Sequence, residues 1–389
     1  MFLGVRGYMP IKILNEFITE KYLSELGEFN PTDPIHKRTF LDAQTQFTRQ
    51  FEYLIGTSTG ALIAFCLAIN YNILDMQDLY VNASYYFKKN FFGPIFISKY
   101  DPVRIHEKID QIIDQIEYPN GKKISAQHAT LLDIRNLLNP DDVIDEEKLP
   151  EAMFTHSNYM EFVDDDFFRP NMRTTSEGSD FYQVKRERVL LITAYNTTDS
   201  TITIFNTSYS KHWGYRIADV LKATMAAPTY FPPQEVYRGI QHNGQFMPGK
   251  KLELYIDGGV FANDPELAAL WAIRMQWKKQ ANYHVLCIGT GCYTSPLSAS
   301  TWGGYMAWIL DNGHIVNTLM DATRSFTEII GSNLAKFNNM RRMKLNYKIT
   351  QSIELDDPNF SKKFDEEWKR LKTENDYKAF VFFFEQYIV

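Results

Sequence analysis

The chain has 389 residues, enough to bury a sizeable core without disulfide or metal staples. Its 41 basic and 47 acidic residues give a formal charge of -6 and are mixed along the chain with no long basic block, which removes the electrostatic basis for a nucleic-acid partner. Cys66, Cys287 and Cys292 show no metal-ligand spacing and read as reduced core thiols; with no apolar run of membrane-spanning length and no signal-peptide pattern at the start, the expected setting is cytoplasmic.

The chain opens on Gly4-Val5-Arg6-Gly7, a glycine turn followed by apolar residues at helical spacing (Ile11, Leu14, Phe17, Ile18), which predicts a helix over 11–26. Unpaired amides at a helix start can face an anion, and an ordinary loop before a helix explains the same residues. Residues 28–49 are polar and carry Pro31 and Pro34, so a surface connection is expected there. Next comes FEYLIGTSTGALIAFCLA at 51–68: a short apolar run, the turn Gly56-Thr57-Ser58-Thr59-Gly60, and an almost wholly apolar helix. A G-x-S-x-G corner between strand and helix is the nucleophile elbow, in which a strained turn lifts a serine hydroxyl clear of the backbone. Glycines at 56 and 60 are expected to permit that turn and close packing of helix on strand.

The aromatic and lysine-bearing stretch at 85–100 suits a water–lipid boundary, where rings bury and ammonium tips stay wet; a loop buried under a helix is the competing reading. Ile105, Ile109, Ile112, Ile113 and Ile116 predict an amphipathic helix over 101–116. Between 117 and 184 the pattern weakens, and a surface insertion or cap is expected. Its acidic runs lack the loop spacing of an EF-hand and read as solvated faces, so no metal is expected. Two β-rich runs follow from Arg188, then a helix over 215–227 stopped by Pro228. Leu252 to Ile256 alternates like a strand and runs into Asp257-Gly258-Gly259; a carboxylate at a strand's carboxyl end sits where open α/β sheets place their sites, although Asp-Gly is also common turn chemistry. A helix over 265–278, a strand ending in Gly289 and Gly291, and a mainly helical, charged region from 302 to 371 complete the chain, whose apolar end at 380–389 is expected to pack.

A serine nucleophile needs a base and oxyanion donors. His284 and His314 follow Asp257 in the order of an α/β-hydrolase triad, but His284 lies at the wrong end of its strand and His314 in a helical stretch. The other possibility is a dyad in which Asp257 itself takes the proton from Ser58.

Taken together, G-V-R-G at 4–7, G-T-S-T-G at 56–60, A-A-P-T-Y-F at 226–231, D-G-G at 257–259 and I-G-T-G at 288–291 resemble, in order and spacing, the patatin-like lipid acyl hydrolases, relatives of the calcium-independent phospholipases A2. The resemblance implies a three-layer α/β/α fold with a mainly parallel central sheet and a helical C-terminal region. Residues 1–300 then form the catalytic domain, with 117–184 as insertion or cap, and 301–389 a helical extension packed on it. It also implies hydrolysis of fatty-acyl esters of phospholipids or other acyl lipids, without cofactor and with transient contact to a membrane surface. Residue by residue, Ser58 matches the nucleophile, Asp257 the base, and Gly4, Val5 and Arg6 the end of the oxyanion motif. That motif reads D-G-G-G-x-R-G after a strand, whereas here Leu3 stands in place of a glycine and the strand is missing. Loss of one oxyanion donor costs about a hundredfold to a thousandfold in rate. Truncation of a longer protein is the expectation, and a weakened or inactive lipid-surface binder is the alternative.

Overall fold

A computed structural model describes residues 7–90, 98–118, 121–145, 187–242, 245–277, 282–292, 314–337, 340–350, 353 and 359–388. In chain order the helices are α1 (Tyr8–Tyr22), α2 (Pro34–Thr48), α3 (Thr59–Ala68), α4 (Ile73–Val81), α5 (Ala83–Tyr86), α6 (Val103–Asp114), α7 (Leu131–Leu138), α8 (Ile217–Thr224), α9 (Gly259–Ala262), α10 (Glu266–Trp277), α11 (His314–Phe337), α12 (Phe360–Thr373) and α13 (Asn375–Tyr387). The strands are β1 (Tyr53–Thr57), β2 (Lys88–Lys89), β3 (Tyr100–Asp101), β4 (Val189–Asn196), β5 (Thr201–Asn206), β6 (Gln234–His242), β7 (Gln245–Asp257), β8 (Tyr283–Ile288) and β9 (Met340–Leu345).

The fold is α/β, and alternation along β4 shows how its layers form. Leu190, Ile192 and Ala194 enter the main core, while Val189 and Leu191 turn to the opposite face and pack with Ala272 of α10. Helices α3 and α8 cover the first face and α10 the second, so seven of the eight β4 side chains are buried, as expected for a strand covered on both sides.

Parallel pairing occurs where β1 meets β4 and where β8 meets β9. Antiparallel pairing is added by β5 on β4, by the β6–β7 hairpin and by β7 on β4. Residues 191–193 of β4 pair with both β1 and β5, and residues 194–196 with both β7 and β5. It follows that β1 and β7 occupy the same edge of β4 and meet there head to head. Thr57 lies opposite Thr193, and Asp257 opposite the next residue, Ala194. That meeting point is the origin of the site.

The structure replaces the surface connection expected over 28–49 with a helix. Asp33 caps α2 by accepting from the amides of Ile35 and His36, Pro34 occupies its first turn, and Phe40, Ala43, Gln44 and Phe47 are buried. The region after 300 is not a separate body: β9 pairs with β8, and α12 and α13 pack on α1, with Tyr8 against Phe360 and Phe364 and Phe17 against Phe380 and Phe384. The ring centroids of Phe17 lie 5.0 Å from each of its two partners, so N-terminal and C-terminal helices share one core. Of the insertion expected at 117–184, residues 119–120 and 146–184 lie outside the described residues.

Candidate active site

Ser58 closes β1 and heads α3 with φ 58° and ψ -130°, a backbone conformation that costs a non-glycine residue about 1–3 kcal/mol and persists only where its surroundings impose it. Two contacts impose it here. A Cβ on Gly56 would stand 2.2 Å from the Gly60 carbonyl oxygen and 2.3 Å from the Ala61 amide, so only glycine lets the helix start this close to the strand. The Ser58 amide, in turn, donates to Thr224 Oγ1 at 2.8 Å, tying the turn to the end of α8. The expected role of Gly60 is corrected: among the described residues a Cβ there meets nothing within 4 Å, and the strained backbone belongs to the serine.

Beneath the turn is a buried threonine pair. Thr57 Oγ1 donates to the Ala262 carbonyl at 2.6 Å, and since a hydroxyl has one proton, Thr193 is the donor in the 2.7 Å contact between the two side chains. These bonds join β1, β4 and α9. Gly258 completes the joint, because a Cβ there would stand 2.3 Å from Thr193 Oγ1. Thr193 and Thr224 escaped the reading of the sequence; a lone threonine inside the apolar run of β4 was the available signal for the first.

Asp257 is the last residue of β7, only 1% exposed. Its amide donates to the Ala226 carbonyl at 2.9 Å, which gives the A-A-P-T-Y-F segment the task of holding the aspartate in place. Burial pushes the carboxyl up to about 7; a 2.7 Å hydrogen bond from the Gly259 amide to Oδ1 and the donor influence of the Ser58 hydroxyl work in the opposite direction. Ser58 Oγ is buried and, among the described residues, makes no hydrogen bond of full geometry, although it is near enough to Asp257 to act on that carboxyl. The structure thus brings Ser58, Asp257, Gly56, Thr57, Thr59, Gly258 and Gly259 to one corner, with Thr59 as the first residue of α3.

His284 is exposed at the start of β8, where its ring meets the Tyr387 carbonyl, and His314 opens α11. Among the described residues nothing hydrogen-bonds Ser58 Oγ, a histidine included. Gly4, Val5 and Arg6 lie outside the described residues, as do Phe91 and Phe92 of the aromatic stretch; Phe87 nearby is buried, while Lys88 and Lys89 are exposed.

Three carboxylates, Asp264, Glu266 and Glu328, converge within reach of a common ion. Protein cations already occupy that role: Arg342 bonds Glu266 at 2.5 Å and Glu328 at 2.7 Å, and Lys344 bonds Asp264 and Glu328. Hydrogen bonding from Arg342 is the main force holding Glu328 down at about 2. The cluster ties α10 and α11 to β9 rather than offering an open ligand set.

The sequence profile of the patatin-like phospholipases matches residues 4–270. The chain belongs to the patatin-like phospholipase family. Patatin-like protein 1 of Arabidopsis thaliana is 30% identical over an alignment covering 28% of this chain and 30% of that protein. Patatin-like protein 3 of the same plant is 30% identical over 25% of this chain and 26% of its own length. The chain therefore spans less than a third of the length of the curated relatives it matches. The matched family region contains both Ser58 and Asp257 and closes within α10. Among the described residues no helix is long and apolar enough to cross a membrane.

Proposed function

We propose that this patatin-like protein is a lipid acyl hydrolase of phospholipase A type that works through a Ser58–Asp257 dyad. The observation that carries the reading is a buried serine hydroxyl, held in a strained turn, that acts on the neighbouring Asp257 carboxyl, itself pushed up to about 7 by burial. A base is most useful when its pKa lies near the working pH, which an ordinary carboxylate does not reach.

In the proposed reaction, Asp257 takes the proton of Ser58 as Oγ attacks the ester carbonyl. The tetrahedral intermediate collapses with the C–O bond breaking, the departing alcohol takes the proton back from Asp257, and the acyl group stays on Ser58. Water then gives a proton to Asp257 while its oxygen attacks the acyl-enzyme; the fatty acid leaves and Ser58 recovers its proton. Because Oδ1 is engaged by Gly259, Oδ2 is the oxygen assigned to the proton. The Ser58 amide is committed to Thr224 and is not an oxyanion donor; the amides of Gly4, Val5 and Arg6 are assigned that role by family resemblance. Substrate is met at a membrane surface through a transient, peripheral contact.

Assay of a fluorescent phospholipid and a short nitrophenyl ester tests the reading, with the unaltered chain, Ser58→Ala, Asp257→Asn, His284→Ala and His314→Ala, and with a form carrying a restored Asp-Gly-Gly-Gly motif. Turnover lost in the first two variants and kept in the histidine variants supports the dyad. Loss with either histidine change but not with Asp257→Asn removes it, and no turnover by the unaltered chain or the restored form favours a lipid-surface binder.

A further inference from the structure

The family profile ends at residue 270, inside α10, yet one side of Asp257 is closed by a residue from beyond it. Helix α11 packs on α9, the short helix that begins at Gly259 just after the aspartate. Met320 is the residue of α11 that reaches this corner, and it is only 3% exposed. A Cβ built on Gly259 would stand 3.0 Å from Asp257 Oδ1 and 3.2 Å from Met320 Cε. The carboxylate oxygen and the thioether methyl group therefore meet across the bare face of that glycine.

The position of Met320 is fixed along the length of its helix. α11 turns one face inward, with Met320, Thr327 and Gly331 buried, while Leu319, Phe326 and Ile329 stay exposed on the other. Close to the site, Asn263 Nδ2, just past the end of α9, donates to the Met320 carbonyl at 3.3 Å. Further along, Glu328 bonds Arg342 of β9 at 2.7 Å, and the bare side of Gly331 lies against Glu266 of α10, where a Cβ would stand 2.7 Å from Oε1. Held at these levels by α9, α10 and β9, the helix cannot slide Met320 away from the aspartate without breaking buried contacts.

The other surroundings of Asp257 are accounted for. The Ala226 carbonyl takes its amide, the Gly259 amide donates to Oδ1, Ser58 acts on it from the end of β1, and Ala194 is its register partner on β4. Among the described residues no charged side chain acts on the carboxyl, and the charged residues flanking Met320 on α11, Asp321 and Arg324, bond each other at 3.3 Å. We propose that Met320 is a positioning residue of the dyad, supplied from outside the family region, whose methyl group shuts water out from Asp257 Oδ1 and keeps the base in a dry setting. A thioether suits the task, because it bends to fill an irregular gap and has no proton to donate to the oxygen. Loss of water disfavours the charged carboxylate, so Met320 is part of the burial that lifts Asp257. Its catalytic meaning rests on the proposed hydrolysis, whereas its contact with the aspartate corner does not.

The test compares Met320→Gln, which keeps the length of the side chain but ends in a polar group, Met320→Ala, Met320→Leu as the apolar rescue, and Leu319→Ala on the exposed face as a control. In ester hydrolysis the pH of half-maximal rate should fall by about one unit in the glutamine and alanine variants, with KM changed less than about twofold, and stay near 7 in the other two. Urea unfolding reads the same carboxyl without turnover. A lower folded pKa leaves less stability to lose as the pH rises, so the part of the fall in unfolding midpoint between pH 5 and pH 9 that Asp257→Asn abolishes should be about halved by Met320→Gln and kept by Met320→Leu. If the alanine variant does not fold, the glutamine and leucine variants decide. An unchanged fall in Met320→Gln, or an equal change in Met320→Leu or Leu319→Ala, overturns the inference. Absence of turnover in every form removes the hydrolysis and leaves the urea comparison to decide the role of Met320.

Discussion

Replacing Asp257 by asparagine should make the protein more stable, increasingly so as the pH rises. The carboxyl titrates near 7 in the folded chain against 3.8 unfolded, because burial penalises its charged form more than the Gly259 amide and the Ser58 hydroxyl favour it. A folded pKa above the unfolded one means that the fold binds the proton more tightly. The associated stability is fully present below about pH 4 and is lost as the pH climbs through about 7. At roughly 1.4 kcal/mol per pH unit the total loss by pH 9 is about 4 kcal/mol, of which about 1.5 is already gone at pH 5. Asparagine carries no charge and keeps an oxygen to accept from the Gly259 amide, so it avoids this loss. The stability advantage of Asp257→Asn should therefore grow by about 3 kcal/mol between pH 5 and pH 9. Urea unfolding followed by circular dichroism at pH 5, 7 and 9 measures it directly. An advantage that stays flat with pH would show that the carboxyl titrates normally and would refute the reasoning.

Ester hydrolysis should rise with pH and reach half its plateau near 7, since the base must be deprotonated to act; a profile already flat from pH 5 upward would count against Asp257 as that base. Gly56→Ala should prevent folding or destabilise it by more than about 3 kcal/mol, because the new methyl meets backbone rather than a mobile side chain, and thermal unfolding would read this out. Thr224→Val leaves the Ser58 amide without its acceptor, so a stability loss of about 1–3 kcal/mol and a lower kcat are expected, both restored by Thr224→Ser.

The sequence exposed the elbow because two glycines, a serine and flanking apolar runs compress an entire strand–turn–helix into eighteen residues. Asp257 was equally visible at the end of Leu252 to Ile256. What remained hidden depends on contacts between distant segments. Nothing local tells Asp257 that it will abut the end of β1 on the edge of β4, or Thr224 that its hydroxyl will receive the Ser58 amide. The β6–β7 hairpin went unread because its strands carry Gly239, Pro248 and Gly249 and look irregular. The Asn243-Gly244 pair between them, in a register where His242 faces Gln245, was the overlooked hairpin signal. Helix α2 was missed for a similar reason: its polar surface masked a narrow buried stripe, although Asp33-Pro34 marked its start.

Covalent trapping of the nucleophile tests the central claim most directly. Treatment of the chain and of the form carrying a restored Asp-Gly-Gly-Gly motif with a fluorophosphonate, followed by peptide mass spectrometry, should give a single adduct on Ser58, absent in Ser58→Ala and formed at least about a hundredfold more slowly in Asp257→Asn. An adduct on another residue, or undiminished labelling of Ser58 in Asp257→Asn, would contradict the dyad.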